Sequence, residues 1–253
     1  DSDGHLVRVP VFDRGVKTSV VATMPSYDSS MVGNALQKLA GLNGSKAMSR
    51  PEFLAMRNVL EYGYKNPATL DLTRFSDQTT HLNSWIWRKM FNKDVTGSMP
   101  ELVFINMEDI GSTILLQDLD DPNSLSYQVL FDPQLREAVL SNLSGVPLCW
   151  GENGGTEFFW GIDADGSALS MRTNEDRSAL IGKGIEVALR PDALQDALAN
   201  NQILPSGFTE FNTFAFSRGY TCYGGFMQVD YLTRMRDGLA QSLMDIDRPS
   251  VAA

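Results

Sequence analysis

The residues best suited to covalent chemistry lie near the C-terminus, in Arg218-Gly-Tyr-Thr-Cys-Tyr-Gly-Gly-Phe226. Cys222 supplies a nucleophile, and it precedes a helical pattern that begins near Gln228. Positive partial charge at a helix N-terminus favours thiolate over thiol. Arg218 would add to that field or clamp a substrate carboxylate. Gly224 and Gly225 allow backbone angles and close approaches that a side chain forbids, and Tyr220 and Tyr223 would flank the bound molecule.

A cysteine nucleophile needs a base, and imidazole is the usual one because it titrates near neutrality. The chain has only His5 and His81. His5 stands at the terminus, so His81 is the candidate. Asp77, four residues earlier, shares its helical face and is placed to orient the ring. Cys222, His81 and Asp77 are therefore the expected catalytic residues, with Arg218, Tyr220, Tyr223, Gly224 and Gly225 expected to bind substrate. The chemistry is acyl or amide transfer, or hydrolysis, on a small-molecule or peptide-like substrate.

Two other classes compete. Glu108, Asp109 and Glu157 could support a non-covalent acid–base enzyme, marked by perturbed carboxylates and open to a divalent cation. A binding or assembly module would instead use Trp87 and the oppositely charged stretches as contact surfaces. No metal is expected: two histidines exclude a histidine-rich zinc site, and Cys149 and Cys222 fit no ribbon or finger spacing. Asp118, Asp120 and Asp121, like Asp163 and Asp165, lack the spacing of a calcium loop and read as turns. Gly151-Glu-Asn-Gly-Gly155 and Ile181-Gly-Lys-Gly184 lead into strands rather than helices, which makes them turns and not phosphate cradles. The sequence names no cofactor.

Charge narrows the partners. Thirty-one acidic and 21 basic side chains give a net charge of −10, which disfavours nucleic acid and anionic lipid. Residues 46–93 carry eight Lys/Arg against four Asp/Glu, whereas residues 94–132 carry eight Asp/Glu and no base. Such stretches pair with each other, face solvent, or line a wall for an anion. Apolar runs are far shorter than the ~20 residues of a membrane helix. Two cysteines without a CxxC pair point to a soluble protein of a reducing, cytoplasmic compartment, with one Cys149–Cys222 bridge as the alternative. Oligomeric state is not legible.

The elements that must position these residues read as α+β, with a mostly antiparallel or mixed sheet flanked by helices. An N-terminal hairpin is expected from residues 6–12 and 16–22 around Asp13-Arg14-Gly15. Helices follow at residues 31–40, 50–62 (opened by the capping box Ser49-Arg-Pro-Glu52) and 77–91. Residues 102–107, 113–117 and 127–131 read as strands. Asp132-Pro133 caps a helix, and strands 157–162 and 168–172 bracket the turn Asp163-Ala-Asp-Gly166. A strand at 185–189, a helix from Pro191, and two helical stretches with Phe208, Phe211 and Phe214, then Val229, Leu232, Met235, Leu239 and Leu243, complete the chain. One continuous domain is expected, with a possible sub-lobe boundary near Gly97.

Overall fold

The computed structural model describes residues 7–12, 20–44, 47–91, 102–152, 154–222 and 224–248. The fold is α+β: helices flank two three-stranded antiparallel sheets. The chain divides into two compact units at Asn106–Met107.

The first unit is helical. Helix α1 (Ser29–Gly44) starts where Asp28 Oδ1 accepts the Met31 N–H at 2.9 Å. Helix α2 (Arg50–Asn58) opens on the expected capping box, in which Ser49 N–H donates to Glu52 and Glu52 N–H to Ser49. It runs directly into a π-helical turn, Val59–Tyr64. A single-turn helix α3 (Pro67–Leu70) leads to α4 (Phe75–Met90). Tyr27, Val32, Ala35, Leu39 and Leu60 form the core. The buried Gln78 side chain ties α4 to the segment before α1, accepting from Tyr27 N–H and donating to Tyr27 C=O, both at 2.9 Å.

Residues 7–12 and 20–22, the described ends of the expected N-terminal hairpin, form no strand, and its turn lies outside the described residues. Val9, Val11 and Phe12 instead pack on the helical core. Burial against helices satisfies the same β-branched side chains that made the run read as a strand.

Tyr27 is buried, and its hydroxyl has no hydrogen-bond partner among the described residues. Burial, followed by the neighbouring Tyr64, pushes its pKa up. Replacing an unpaired buried hydroxyl by an apolar isostere removes its desolvation penalty. Tyr27→Phe is therefore expected to leave stability unchanged or raise it by up to about 1 kcal/mol in urea unfolding. A loss of that size would reveal a partner for the phenol.

The second unit begins with α5 (Met107–Asp118), α6 (Leu125–Phe131) and α7 (Pro133–Asn142). This corrects three expected strands. Gly111, Leu115 and Leu119 are buried at intervals of four, a helical face that the β-branched content of residues 113–117 concealed. Glu108 and Asp109 in the first turn favour a helix start. Ser124 Oγ accepts the Tyr127 N–H at 3.0 Å and caps α6. Residues 102–106 are irregular.

Strand β1 (Phe159–Ile162) pairs with β2 (Ala168–Ser170) through the expected turn, in which Asp163 Oδ1 accepts from the Asp165 and Ser167 N–H groups. Strands β3 (Arg172–Thr173), β4 (Ala179–Gly182) and β5 (Ile185–Ala188) form the second sheet, in that order. Helix α8 (Pro191–Ala199) leads to β6 (Ile203–Pro205), which pairs with the other edge of β1. Helix α9 (Gly207–Phe211) passes into a second π-helical turn, Asn212–Phe216, and α10 (Phe226–Asp245) closes the chain against α7. Trp150, Phe158 and Phe208 stack edge to face and at tilted angles in the core, so the aromatic run near residue 158 is packing. No helix among the described residues is long and apolar enough to cross a membrane.

Candidate functional site

The expected catalytic residues have the following partners within their own units. Asp77 does not orient His81. Its carboxylate is held by Arg74, with Nε and Nη2 each at 2.9 Å. His81 Nδ1 lies 2.7 Å from Thr69 Oγ1, whose hydroxyl also reaches the Gly63 carbonyl at 3.3 Å. A hydroxyl has one proton; if Gly63 takes it, the imidazole donates from Nδ1 and leaves Nε2 as the basic nitrogen. Both residues stand on α4 of the first unit. Cys222 belongs to residues 107–253, which contain no histidine.

Cys222 is half-buried, packs beside the core of its own unit, and lies 3.9 Å from the Tyr220 carbonyl. Cys149 is buried, and both thiols are free, so the alternative of a disulfide between them is not realised. Burial pushes the Cys149 thiol up to about 12. Arg218 is not available as a substrate clamp: Nη1 and Nη2 bind the two oxygens of Asp118 at 3.1 and 2.5 Å, and Nη1 also donates to the Thr213 carbonyl at 2.8 Å. The chain then turns at Gly219, whose φ of +68° suits glycine. Tyr220 is exposed and Tyr223 lies outside the described residues. The space that Gly224 leaves is taken by the Gln228 side chain, whereas Gly225, the N-cap of α10, faces open space.

A different group in the same unit has the properties of a working acid. Glu210, on α9, is 5% exposed, and its Oε1 is buried with no hydrogen-bond partner among the described residues. Its carboxyl and the Phe214 ring lie against the bare face of Gly111 on α5, 3.6 and 3.5 Å from where a side-chain carbon would stand. Burial raises the Glu210 pKa to about 8, and the charge of Glu108 on the first turn of α5 adds to the rise. Asn212 Oδ1 and Ser112 Oγ are also buried without partners among the described residues, on the turn after α9 and on α5. Beyond Asn212 the polar side chains are satisfied: Asn212 Nδ2 donates to Ser126 Oγ at 3.2 Å, and Thr213 Oγ1 donates to the Thr209 carbonyl at 2.9 Å.

Helix α5 organises this stretch. Its first turn carries Glu108, its middle carries Gly111 against Glu210, and its last residue, Asp118, fixes Arg218. An α9 packed in the core and the π-helical turn behind it hold Glu210 at a fixed depth. Such turns recur at functional positions. A carboxyl that keeps its proton at neutral pH, as desolvation beside a like charge favours, can serve as a general acid there.

The other carboxylates singled out from the sequence have structural tasks. Glu157 Oε2 accepts from Thr173 N–H at 2.6 Å and from Thr173 Oγ1 at 2.8 Å. Asp120 accepts from Gln195, and Asp121 from the Asn123 backbone. No group of three or more His, Cys, Asp or Glu suited to a metal ion occurs among the described residues. Glu210 was hidden from sequence reading because a lone Glu between phenylalanines reads as the polar face of a helix. The signal that it carries, Phe208 and Phe211 on either side of it, has meaning only once α5 is known to cover that face.

No protein-family model matches the chain, and no curated protein or solved structure matches it.

Proposed function

We propose that the C-terminal unit is a non-covalent acid–base enzyme acting on a small uncharged or peptide-like substrate, with Glu210 carrying the proton and Glu108 raising its affinity for that proton. The observation that carries this reading is the buried Oε1 of Glu210, unpartnered among the described residues. Buried polar atoms are nearly always paired, and an unpaired acid with a raised pKa is characteristic of a catalytic group. At neutral pH Glu210 is the protonated member of the pair, able to donate to a substrate and recover the proton afterwards. A net charge of −10 favours neutral substrates over nucleic acid or anionic lipid, and two unpaired thiols fit a reducing compartment such as the cytoplasm.

The test is hydrogen–deuterium exchange into a panel of small carbonyl compounds, and hydrolysis of small esters and amides, by wild type and Glu210→Gln. Loss of 100-fold or more of any activity found, roughly the contribution of a general acid or base, is the expected result. Activity untouched by the substitution would remove Glu210 from the reaction.

A second reading keeps Cys222 as nucleophile, on the observation that its thiol is free and half-buried on a connection anchored by the Asp118–Arg218 pair. Native protein is expected to take one equivalent of iodoacetamide at Cys222, with Cys149 reacting only after unfolding because its thiol is buried and pushed up to about 12. Peptide mapping of the alkylated chain reads this directly. If that single alkylation abolishes a turnover that Glu210→Gln leaves intact, the cysteine carries the reaction.

A further inference from the structure

The first unit has a feature that acid–base chemistry in residues 107–253 does not use. Where α2 runs into its π-helical turn, Val9, Val11, Met56, Val59, Leu60 and Tyr64 border a cleft of about 300 Å³. A second cleft of about 500 Å³ runs past Trp85 and Ile86 of α4 to Lys89. Ala55 and Val59 line both, so the two clefts adjoin along this edge of α2 as a two-part trough. Its size lies within the range of small-molecule sites, ~300–1,000 Å³, which are mostly apolar with a few polar groups that fix orientation. Among the described residues the first half is lined by no charged side chain, and Lys89 is the charged group lining the second.

Lys89 is the base that reaches the second cleft. Arg57 is paired with Glu61 and Arg74 with Asp77. The Lys89 ammonium stands 5.6 Å from the centre of the Trp85 ring, and no carboxylate among the described residues pairs with it. It is a cation at the edge of an apolar trough, in a stretch with an excess of positive charge.

We propose that this trough binds an anionic amphiphile, a linear apolar chain with a carboxylate head, the chain lying along Val59 and Met56 and the head on Lys89. One unpaired ammonium balances a head of single charge, which favours a carboxylate over a phosphate monoester whose charge approaches −2. The apolar half repels water and rewards a hydrocarbon body.

The experiment is isothermal titration of the full chain with decanoate, 1-decanol and decyl phosphate below their aggregation ranges, on wild type, Lys89→Ala and Ala55→Trp. Ala55 is exposed on α2, so a tryptophan there fills the trough without entering the core; circular dichroism confirms that each variant keeps its fold. Saturable decanoate binding is expected, weakened about tenfold by Lys89→Ala as a charge-assisted hydrogen bond is lost. Ala55→Trp is expected to abolish it, and decanol affinity to be indifferent to Lys89. Four results would overturn the proposal: no saturable decanoate binding, decanoate binding indifferent to Lys89→Ala, binding that survives Ala55→Trp, or decyl phosphate binding tighter than decanoate. A dimer in sedimentation that Ala55→Trp dissociates would equally overturn it, by showing that a second copy covers the trough.

Discussion

Glu210→Gln is expected to abolish a stability loss that the wild-type protein suffers as pH rises from 4.5 to 8. Folded Glu210 holds its proton up to about pH 8, whereas in the unfolded chain it titrates near its ordinary 4.5. Between these values the unfolded state binds fewer protons, so the stability of the fold falls with rising pH. The contribution is complete below pH 4.5 and lost once pH passes 8, with a total on the order of 5 kcal/mol at about 1.4 kcal/mol per unit. Glutamine does not titrate. The two proteins should therefore be close in stability at pH 5, and the variant more stable by several kcal/mol at pH 8. Urea unfolding at four pH values reads the difference directly, and other groups cancel in the comparison. Glu108→Gln removes the neighbouring charge and should narrow the window from its alkaline side. A wild-type-minus-variant difference that stays constant across the range would mean that Glu210 is hydrated, and the acid–base proposal would fall with it.

The second large effect is expected at Asp118. Its side chain is 6% exposed and is held by two bonds from Arg218, which is one-third exposed. Breaking a buried pair by removing one partner is worth ~3–5 kcal/mol, because the remaining charge is left without compensation. Solvent reaching Arg218 lowers that figure, so Asp118→Ala should destabilise the protein by about 2–3 kcal/mol. The loss should be local before it is global. Gly219 N–H donates to the Ala215 carbonyl and Tyr220 N–H to the Phe214 carbonyl, and both amides lie just past the arginine. Their hydrogen exchange is expected to accelerate more than that of amides in α7, and Asp118→Asn to show a smaller effect because it preserves the shape and one acceptor. Unchanged thermal unfolding in Asp118→Ala would show that the pair is solvated and does not anchor the Cys222 connection.

What could be read from residues alone follows a physical division. Elements whose signals are local were legible: the Ser49–Glu52 capping box, the Asp132-Pro133 start of α7, the Asp163 turn and the long stripe of α10 all involve neighbours in sequence. Elements decided by packing were not. Residues 113–117 and 127–131 carry β-branched or aromatic side chains whose propensity is weak against a buried helical face and the Ser124 cap. The same division holds for the site. Cys222, His81 and Asp77 were nominated by type and spacing, but Asp77 is claimed by Arg74, three residues away on its own chain. Glu108 was named from the sequence only as one candidate carboxylate. Its effect on Glu210 arises from elements about 100 residues apart, which no spacing rule reports.

Each unit has an α-helix that widens into a π-helical turn, α2 at Val59–Tyr64 and α9 at Asn212–Phe216. Such a turn accommodates one residue more than the regular helix, so it acts as a phase shifter for everything beyond it. Tightening the turn to regular α-helical winding, with every residue kept, would shift the phase of all that follows. It would also rotate Arg218 by about 100° around the helix axis, away from Asp118. The pitch of one turn therefore decides whether an arginine finds its aspartate. A one-residue deletion within the turn would be absorbed, because losing the extra residue and regaining the regular winding cancel in phase.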